Sequence, residues 1–315
     1  YCSPFLLTAH VRFDMILVRS RPINGGDPHM KTNYDVIIVG AGPAGIFAAY
    51  EFTLRLPEAK VLLIDKGHDI YRRNCPILQK RIVKCPPPTN RKSFAGCLPA
   101  CSITNGFGGA GAYSDGKFNI TSEFGGWMTD YLSKNQVIEL IKYVDAINIK
   151  HGATDTITNP MSEEVRRIEK SGYAAGLKLL RAYVRHLGTE QNLEILKSIY
   201  EYLKDRIDMV FKAEVEDVLT EKQDNQYVAK GIVLKDGEKL YSDYVMVAPG
   251  RDGSKWLTEI LKKRKFKMTS NQVDIGVRVE TSNVVMEEIN KHLYEGKFIY
   301  NTSVGTQVRT FCSNP

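Results

Sequence analysis

Two short runs of unbroken hydrophobic positions open the interpretable part of the chain. Asp35-Val36-Ile37-Ile38-Val39 and Lys60-Val61-Leu62-Leu63-Ile64-Asp65 are aliphatic almost throughout, the pattern of strands buried on both faces of a parallel sheet. Between them Ile46-Phe47-Ala48-Ala49-Tyr50-Glu51-Phe52 is an apolar, Ala-rich stretch that predicts a helix. Far downstream, Val215 to Val218 reads as a strand. Ile232-Val233-Leu234-Lys235-Asp236-Gly237 followed by Leu240-Tyr241 reads as a hairpin with an Asp-Gly turn, leading into a strand at Tyr244 to Val247. In between, the pattern predicts helices over Lys134 to Lys150, Ser162 to Lys170, Tyr173 to Leu187 and Thr189 to Arg206. In the last of these Leu193, Ile195, Leu196, Ile199, Tyr200 and Leu203 make one apolar face. Val273 to Glu280 alternates apolar and polar positions and predicts one more strand, the first of a second sheet.

The junction of the first strand and helix carries the strongest chemical signal. Gly40-Ala41-Gly42-Pro43-Ala44-Gly45 fits G-x-G-x-x-G. In that spacing the first glycine permits a tight turn, the second lets backbone approach a diphosphate, and the third lets helix pack closely on strand. Amides at the helix N-terminus then face the phosphates. The second strand ends in Asp65, about 20 residues on, where an acid accepts hydrogen bonds from an adenosine ribose and repels a 2′-phosphate. A glycine fingerprint alone is weak, but here strand, turn, helix, strand and acid follow in order.

After Lys66 the chain leaves the βα rhythm of an NAD dehydrogenase for a stretch rich in Cys, Pro and Gly. Within it, Asn105-Gly106-Phe107-Gly108-Gly109-Ala110-Gly111-Ala112-Tyr113-Ser114-Asp115-Gly116-Lys117 has glycines too closely spaced for a packed element, backbone suited to lie against a bulky ligand. The later meander returns the chain to the glycine turn through Ala248-Pro249-Gly250.

Together these separated elements, from Tyr34 to Gly253, resemble the glutathione-reductase-type FAD domain. More narrowly, Arg73-Asn74-Cys75-Pro76, the Gly106 to Lys117 loop, Arg185-His186-Leu187-Gly188-Thr189 and Arg309-Thr310-Phe311-Cys312 resemble bacterial FAD-dependent proteins catalogued as NAD-utilising dehydrogenases. The resemblance implies an α/β fold: a Rossmann-like parallel sheet of the FAD/NAD(P)-binding kind with a β-meander, a helical insertion and the start of a second, substrate-side sheet. It implies that Gly40, Gly42, Pro43, Ala44 and Gly45 meet the pyrophosphate of FAD, and Asp65 and Lys66 the adenosine ribose. Val215 would meet the adenine edge and Ala248, Pro249 and Gly250 the ADP moiety. Gly108, Gly109, Ala110, Gly111, Ser114, Asp115 and Lys117 would border the isoalloxazine. Asp65 stands where a longer Glu is commoner, a shorter reach to the ribose.

Four of six cysteines, Cys75, Cys85, Cys97 and Cys101, are spaced C-x9-C-x11-C-x3-C. Zinc knuckles of the C-x2-C type are absent, so ordinary buried thiols are the expectation ahead of a structural metal or a redox pair, and no metal ligand is assigned. His186 beside Arg185 is an acid–base candidate, although a satisfied helix-terminal histidine explains it more simply. Lys262-Lys263-Arg264-Lys265-Phe266-Lys267 reads as a solvated helix end; the net charge of +7 is otherwise dispersed, favouring anionic cofactors and substrates without implying nucleic acid. At 43% apolar and 25% charged positions the composition is that of a globular protein. No run approaches membrane-spanning length, and cysteine usage fits a reducing cytoplasm.

The expected organisation is an upstream or expression-derived segment at 1–29, with Met30 as a natural start; an FAD-binding βαβ unit with its Cys/Gly-rich flavin loop at 30–130; and a helical insertion at 131–206. The FAD-binding domain returns at 207–269, and 270–315 begins a substrate domain that the chain leaves unfinished at Asn314-Pro315. The expected function is that of an FAD-dependent oxidoreductase, a dehydrogenase or reductase, passing hydride or electrons between the flavin and an unidentified small molecule, with NAD(P)H docking transiently as a donor. No catalytic side chain is singled out. A non-catalytic FAD-binding module serving a protein or RNA partner is the rival, and an NAD enzyme selected by Asp65 a third possibility. Neither a second G-x-G-x-x-G unit nor a nucleic-acid module is seen.

Overall fold

The computed structural model describes residues 33–223, 226–270 and 273–312. The predicted segment 1–29, Met30 and the last residues Asn314-Pro315 lie outside them. The chain runs β1 (Asn33–Val39), α1 (Pro43–Arg55), β2 (Val61–Asp65), β3 (Lys117–Ile120), α2 (Lys134–Lys150), α3 (Glu163–Ala174), β4 (Leu177–Leu180), β5 (Tyr183–His186) and α4 (Thr189–Lys204). It continues through β6 (Asp208–Phe211), β7 (Val215–Gln223), β8 (Gln226–Leu234), β9 (Lys239–Val247), α5 (Ser254–Lys263), α6 (Asn283–Leu293), β10 (Lys297–Asn301) and β11 (Gln307–Arg309). Two compact units result: the described residues up to Ala110 with Tyr200–Phe266, and Gly111–Ile199 with the described residues from Lys267 onward.

The first unit is built on one six-stranded sheet in the order β6-β2-β1-β9-β8-β7. β6, β2, β1 and β9 are parallel, whereas β9, β8 and β7 form the antiparallel meander with its Asp236-Gly237 turn. Ile37, Leu62, Ile64, Ala229, Ile232 and Val245 form the core of one face. Ile38, Leu63 and Ile46 are as fully enclosed, which accounts for strands with no polar alternation. Gly42 caps α1 and Pro43 sits at its first turn, where its fixed φ and missing N–H cost nothing.

The second unit holds a three-stranded sheet, β11-β10-β4, and a two-stranded pair, β3-β5. Its core gathers Val165, Ile168, Leu179, Leu293 and Phe298. α2 starts from a Ser133/Gln136 capping box, and α3 from Ser162, whose hydroxyl accepts the Val165 amide. Arg185 and Asp145 form a buried bidentate pair, Nε to Oδ1 and Nη2 to Oδ2, both 2.7 Å.

Three expectations are corrected here. The helix read over Tyr173 to Leu187 ends with α3 at Ala174; Gly176, at φ +76°, takes the left-handed conformation that terminates a helix, and the chain then forms β4 and β5. The segment 131–206 is thus mixed rather than wholly helical. Val273 to Glu280 forms no strand; Val273, Ile275, Val277 and Val279 stand exposed and, among the described residues, none of them pairs with a strand, so the alternation supplies propensity without the cross-strand contacts that stabilise a sheet. In the basic run, Lys262 and Lys263 do close α5, but Arg264 is buried against Asp217 at 2.8 Å. No described helix is long and apolar enough to cross a membrane.

Candidate functional site

The β1–α1 turn separates the three glycines by role. Gly40 has φ +106°, and a Cβ there would lie 2.2 Å from the Ala248 carbonyl oxygen. A Cβ on Gly45 would lie 1.9 Å from the Gly40 oxygen. Both are demanded by the protein's own packing. Gly42 is not: its φ of −77° suits any residue, and a Cβ there would meet only the Gly109 Cα, at 4.0 Å. Pro43 and Ala44 are exposed beside it, so the first turn of α1 opens outward with its unpaired amides.

The second glycine loop lies on this turn. Gly108 N–H donates to the Ala41 carbonyl at 2.8 Å. Gly106, at φ +98°, is pressed against the His68 carbonyl, where a Cβ would approach to 2.2 Å. Contrary to expectation, this loop does not lie flat and unpacked: Phe107 and Ala112 are fully buried, and Gly109–Tyr113 winds into a short 3₁₀-helix. Arg73 holds it from beneath. Its buried guanidinium donates to the carbonyls of Ser102, Ile103 and Phe107 at 2.9, 3.0 and 2.6 Å.

Asp65 joins the pieces. Its Oδ2 accepts Ala41 N–H at 2.9 Å, and its Oδ1 accepts Gly67 N–H at 2.7 Å and Gly106 N–H at 2.9 Å. A cavity opens at the C-terminal ends of β1 and β2, the usual ligand position of a parallel sheet. Gly40, Asp65 and Lys66 line it from the strand ends, Asn105 from the glycine loop, Ala213, Glu214 and Val215 from the start of β7, and Pro249, Gly253 and Trp256 from beyond β9. The sequence-predicted Gly40, Asp65, Lys66, Val215 and Pro249 therefore converge. Ala248 closes on Gly40, while Gly250 points to open space. Lys66 pairs with Asp252, and Glu214 with Lys235 at 2.9 Å. Asn105, Gly67, Arg73 and Trp256 were not readable as site residues.

Gly111, Ser114, Asp115 and Lys117 belong to the second unit. The Ser114 hydroxyl accepts the Gly116 amide at 3.3 Å, bracing its own loop. Asp115 accepts the Tyr294 hydroxyl at 2.6 Å and lies 3.5 Å from Lys117. His186 Nε2 is 3.0 Å from Asp115 Oδ1, off the line of a hydrogen bond, with its ring stacked on Tyr294 at 3.8 Å. Burial would push the Asp115 carboxyl up, but Tyr294, His186 and Lys117 together bring it below the ordinary range. Burial and the Asp115 bond hold the Tyr294 phenol well above its usual value. His186 ends β5 rather than a helix, so the helix-terminal reading of it falls.

The four clustered cysteines are free; Cys75 and Cys97 are half-buried, Cys85 and Cys101 exposed, so they are not the fully buried thiols expected. Burial, with Cys101, Cys75 and Cys85 nearby, raises the Cys97 thiol. Among the described residues no three His, Cys, Asp or Glu side chains are arranged to hold a metal ion.

No family model matches the sequence, and no curated protein does. Distant likenesses occur among solved structures. THI4 from Thermovibrio ammonificans is 14% identical with a TM-score of 0.37, over 75% of this chain and 64% of that one. The L-amino acid deaminase from Proteus vulgaris is 14% identical with a TM-score of 0.41, over 91% and 63%. Glycine oxidase from Geobacillus kaustophilus is 15% identical with a TM-score of 0.38, over 74% and 58%. The chain thus spans 58 to 64% of the length of these three.

Proposed function

We propose that the first unit binds the ADP half of FAD and that the chain serves as an FAD-dependent oxidoreductase of the dehydrogenase or reductase kind. One observation carries the reading. Of the three glycines in the turn, Gly42 alone answers to no steric demand of the fold: a Cβ there would meet nothing nearer than the Gly109 Cα at 4.0 Å, and Gly42 stands at the N-cap of α1, leaving space beside the helix's first amides. A diphosphate accounts for that space, since helix-terminal amides and the helix dipole both favour an anion.

Gly42, Ala44 and Gly45 would hold the diphosphate, Val215 and Trp256 would wall the adenine end, and Gly108 to Ala110 would extend the cradle toward the flavin. FAD, when bound, supplies two-electron hydride chemistry. The protein's share is to position it and to exclude competing reactions. The electron donor is an unidentified small molecule, with NAD(P)H as a transient candidate.

The test is the absorption spectrum of the purified, FAD-incubated and desalted protein, followed by anaerobic reduction. A retained flavin band near 450 nm, bleached by NADH, NADPH or a metabolite and restored by an acceptor, supports the proposal. Protein that retains no flavin contradicts it. Flavin reducible only by dithionite would leave a binder without redox turnover.

A further inference from the structure

We infer that Asp65 is a positioning residue of the nucleotide cradle, its carboxylate committed to backbone amides from three segments rather than to the hydroxyls of a ribose. The inference rests on the nucleotide reading above and departs from the role that an acid at the end of β2 would ordinarily take.

The geometry makes the case. A carboxylate offers about four acceptor directions. Three of those on Asp65 are taken, by the amides of Ala41, Gly67 and Gly106 at 2.9, 2.7 and 2.9 Å. These amides come from the β1–α1 turn, the exit of β2 and the glycine loop, segments that touch through backbone. A Cβ on Gly67 would lie 2.3 Å from the Gly106 nitrogen. Asp65 is itself anchored, its carbonyl accepting Ala213 N–H at 3.2 Å. The adjacent charges, Lys66 and Asp252, pair with each other. Three amides on one carboxylate are charge-assisted bonds, the strong kind.

Chain length also becomes intelligible. A Glu would carry its carboxylate roughly 1.5 Å farther along the side chain, into the cavity and away from the amides. Asp is therefore suited to the inward role and Glu to the outward one. Ala41 lies between Gly40 and Gly42, so fixing its amide sets the peptide planes that lead to the diphosphate-facing turn.

The experiment compares the full chain with its Asp65→Glu and Asp65→Asn variants, using melting without nucleotide and calorimetric titration with ADP and with adenosine well below the melting range. The inference predicts a lower Tm for both variants without nucleotide, ADP binding weakened tenfold or more, and adenosine binding changed by less than threefold. Adenosine lacks the diphosphate, so a parallel loss of both ligands with an unchanged Tm would identify Asp65 as a ribose ligand and overturn the inference. A lower Tm with ADP affinity intact would also overturn it, reducing Asp65 to a structural role. Should the variants fail to fold, 2′,3′-dideoxy-ADP on the wild-type chain decides: affinity within threefold of ADP supports the inference, and a loss beyond tenfold refutes it. A wild-type chain that binds neither ligand brings down the nucleotide reading itself, and the inference with it.

Discussion

Gly109 lies directly against Gly42: a Cβ on Gly109 would come within 3.0 Å of the Gly42 Cα, closer than almost any real side-chain carbon sits to its neighbour. The two glycine loops, far apart in sequence, thus meet backbone to backbone beside the open end of α1. The contact is asymmetric. A side chain on Gly109, at φ +55°, would be strained in its backbone and crowded against Gly42 and Pro43, whereas Gly42 has ordinary space on the protein's side.

Thermal melts of alanine variants should therefore divide the turn. Gly40→Ala and Gly45→Ala, each forcing a Cβ onto a backbone oxygen, should lower the Tm by about 10 °C or more or prevent folding. Gly42→Ala should stay within about 3 °C of wild type. Equal destabilisation at all three positions would remove the distinction on which the site assignment stands.

Arg73→Ala should cost about 3 kcal/mol in denaturant unfolding, because it leaves the carbonyls of Ser102, Ile103 and Phe107 without their buried cationic donor. Arg73→Lys should recover only part of this, an ammonium being unable to reproduce the planar fork. A loss below about 1 kcal/mol for Ala would mean that the glycine loop holds its shape unaided.

Asp145→Ala should destabilise the second unit by about 3–5 kcal/mol, since it strands a buried guanidinium. The double variant Asp145→Leu/Arg185→Met should recover much of that loss. A double-mutant cycle with no coupling would show that the pair, though bidentate at 2.7 Å, contributes nothing through its own interaction.

The pH limits should report on Asp115 and Tyr294. Asp115 has a folded-state pKa below its unfolded value despite its burial, owing to Tyr294, His186 and Lys117. Its contribution is present above the unfolded pKa and lost as pH falls through the folded one, below about pH 4. Tyr294 is raised by burial and by its bond to Asp115, so its contribution fades as pH climbs above about 10. Asp115→Asn should flatten the acid limb of stability against pH and Tyr294→Phe the alkaline limb. Unchanged limbs would rule out the coupling.

Much of the first unit was legible because it is local. Runs of four unbroken aliphatics, a glycine turn and a closing acid are contiguous signals, and β1, α1 and β2 lie where those signals put them. The meander was legible for the same reason, through Asp236-Gly237. What escaped depends on partners distant in the chain. Val273 to Glu280 alternates like a strand, yet strand formation depends on a neighbour, and no described strand pairs with it. Leu177–Leu180 was hidden in a helical reading because its partner, β10, lies more than a hundred positions away. The hold of Arg73 on three carbonyls has no sequence pattern at all. For Asp65, the sequence indicated an acid at the cavity and could not say that its oxygens turn back onto the chain.

The most direct measurement is the affinity of the full chain for FAD, by quenching of flavin fluorescence, with Gly42→Leu beside wild type and melting curves establishing that both are folded. The account predicts tight binding to wild type and a loss of a hundredfold or more in the variant at nearly unchanged Tm. Equal affinity in the two folded proteins would contradict it, because the space in front of the α1 amides would then hold no diphosphate.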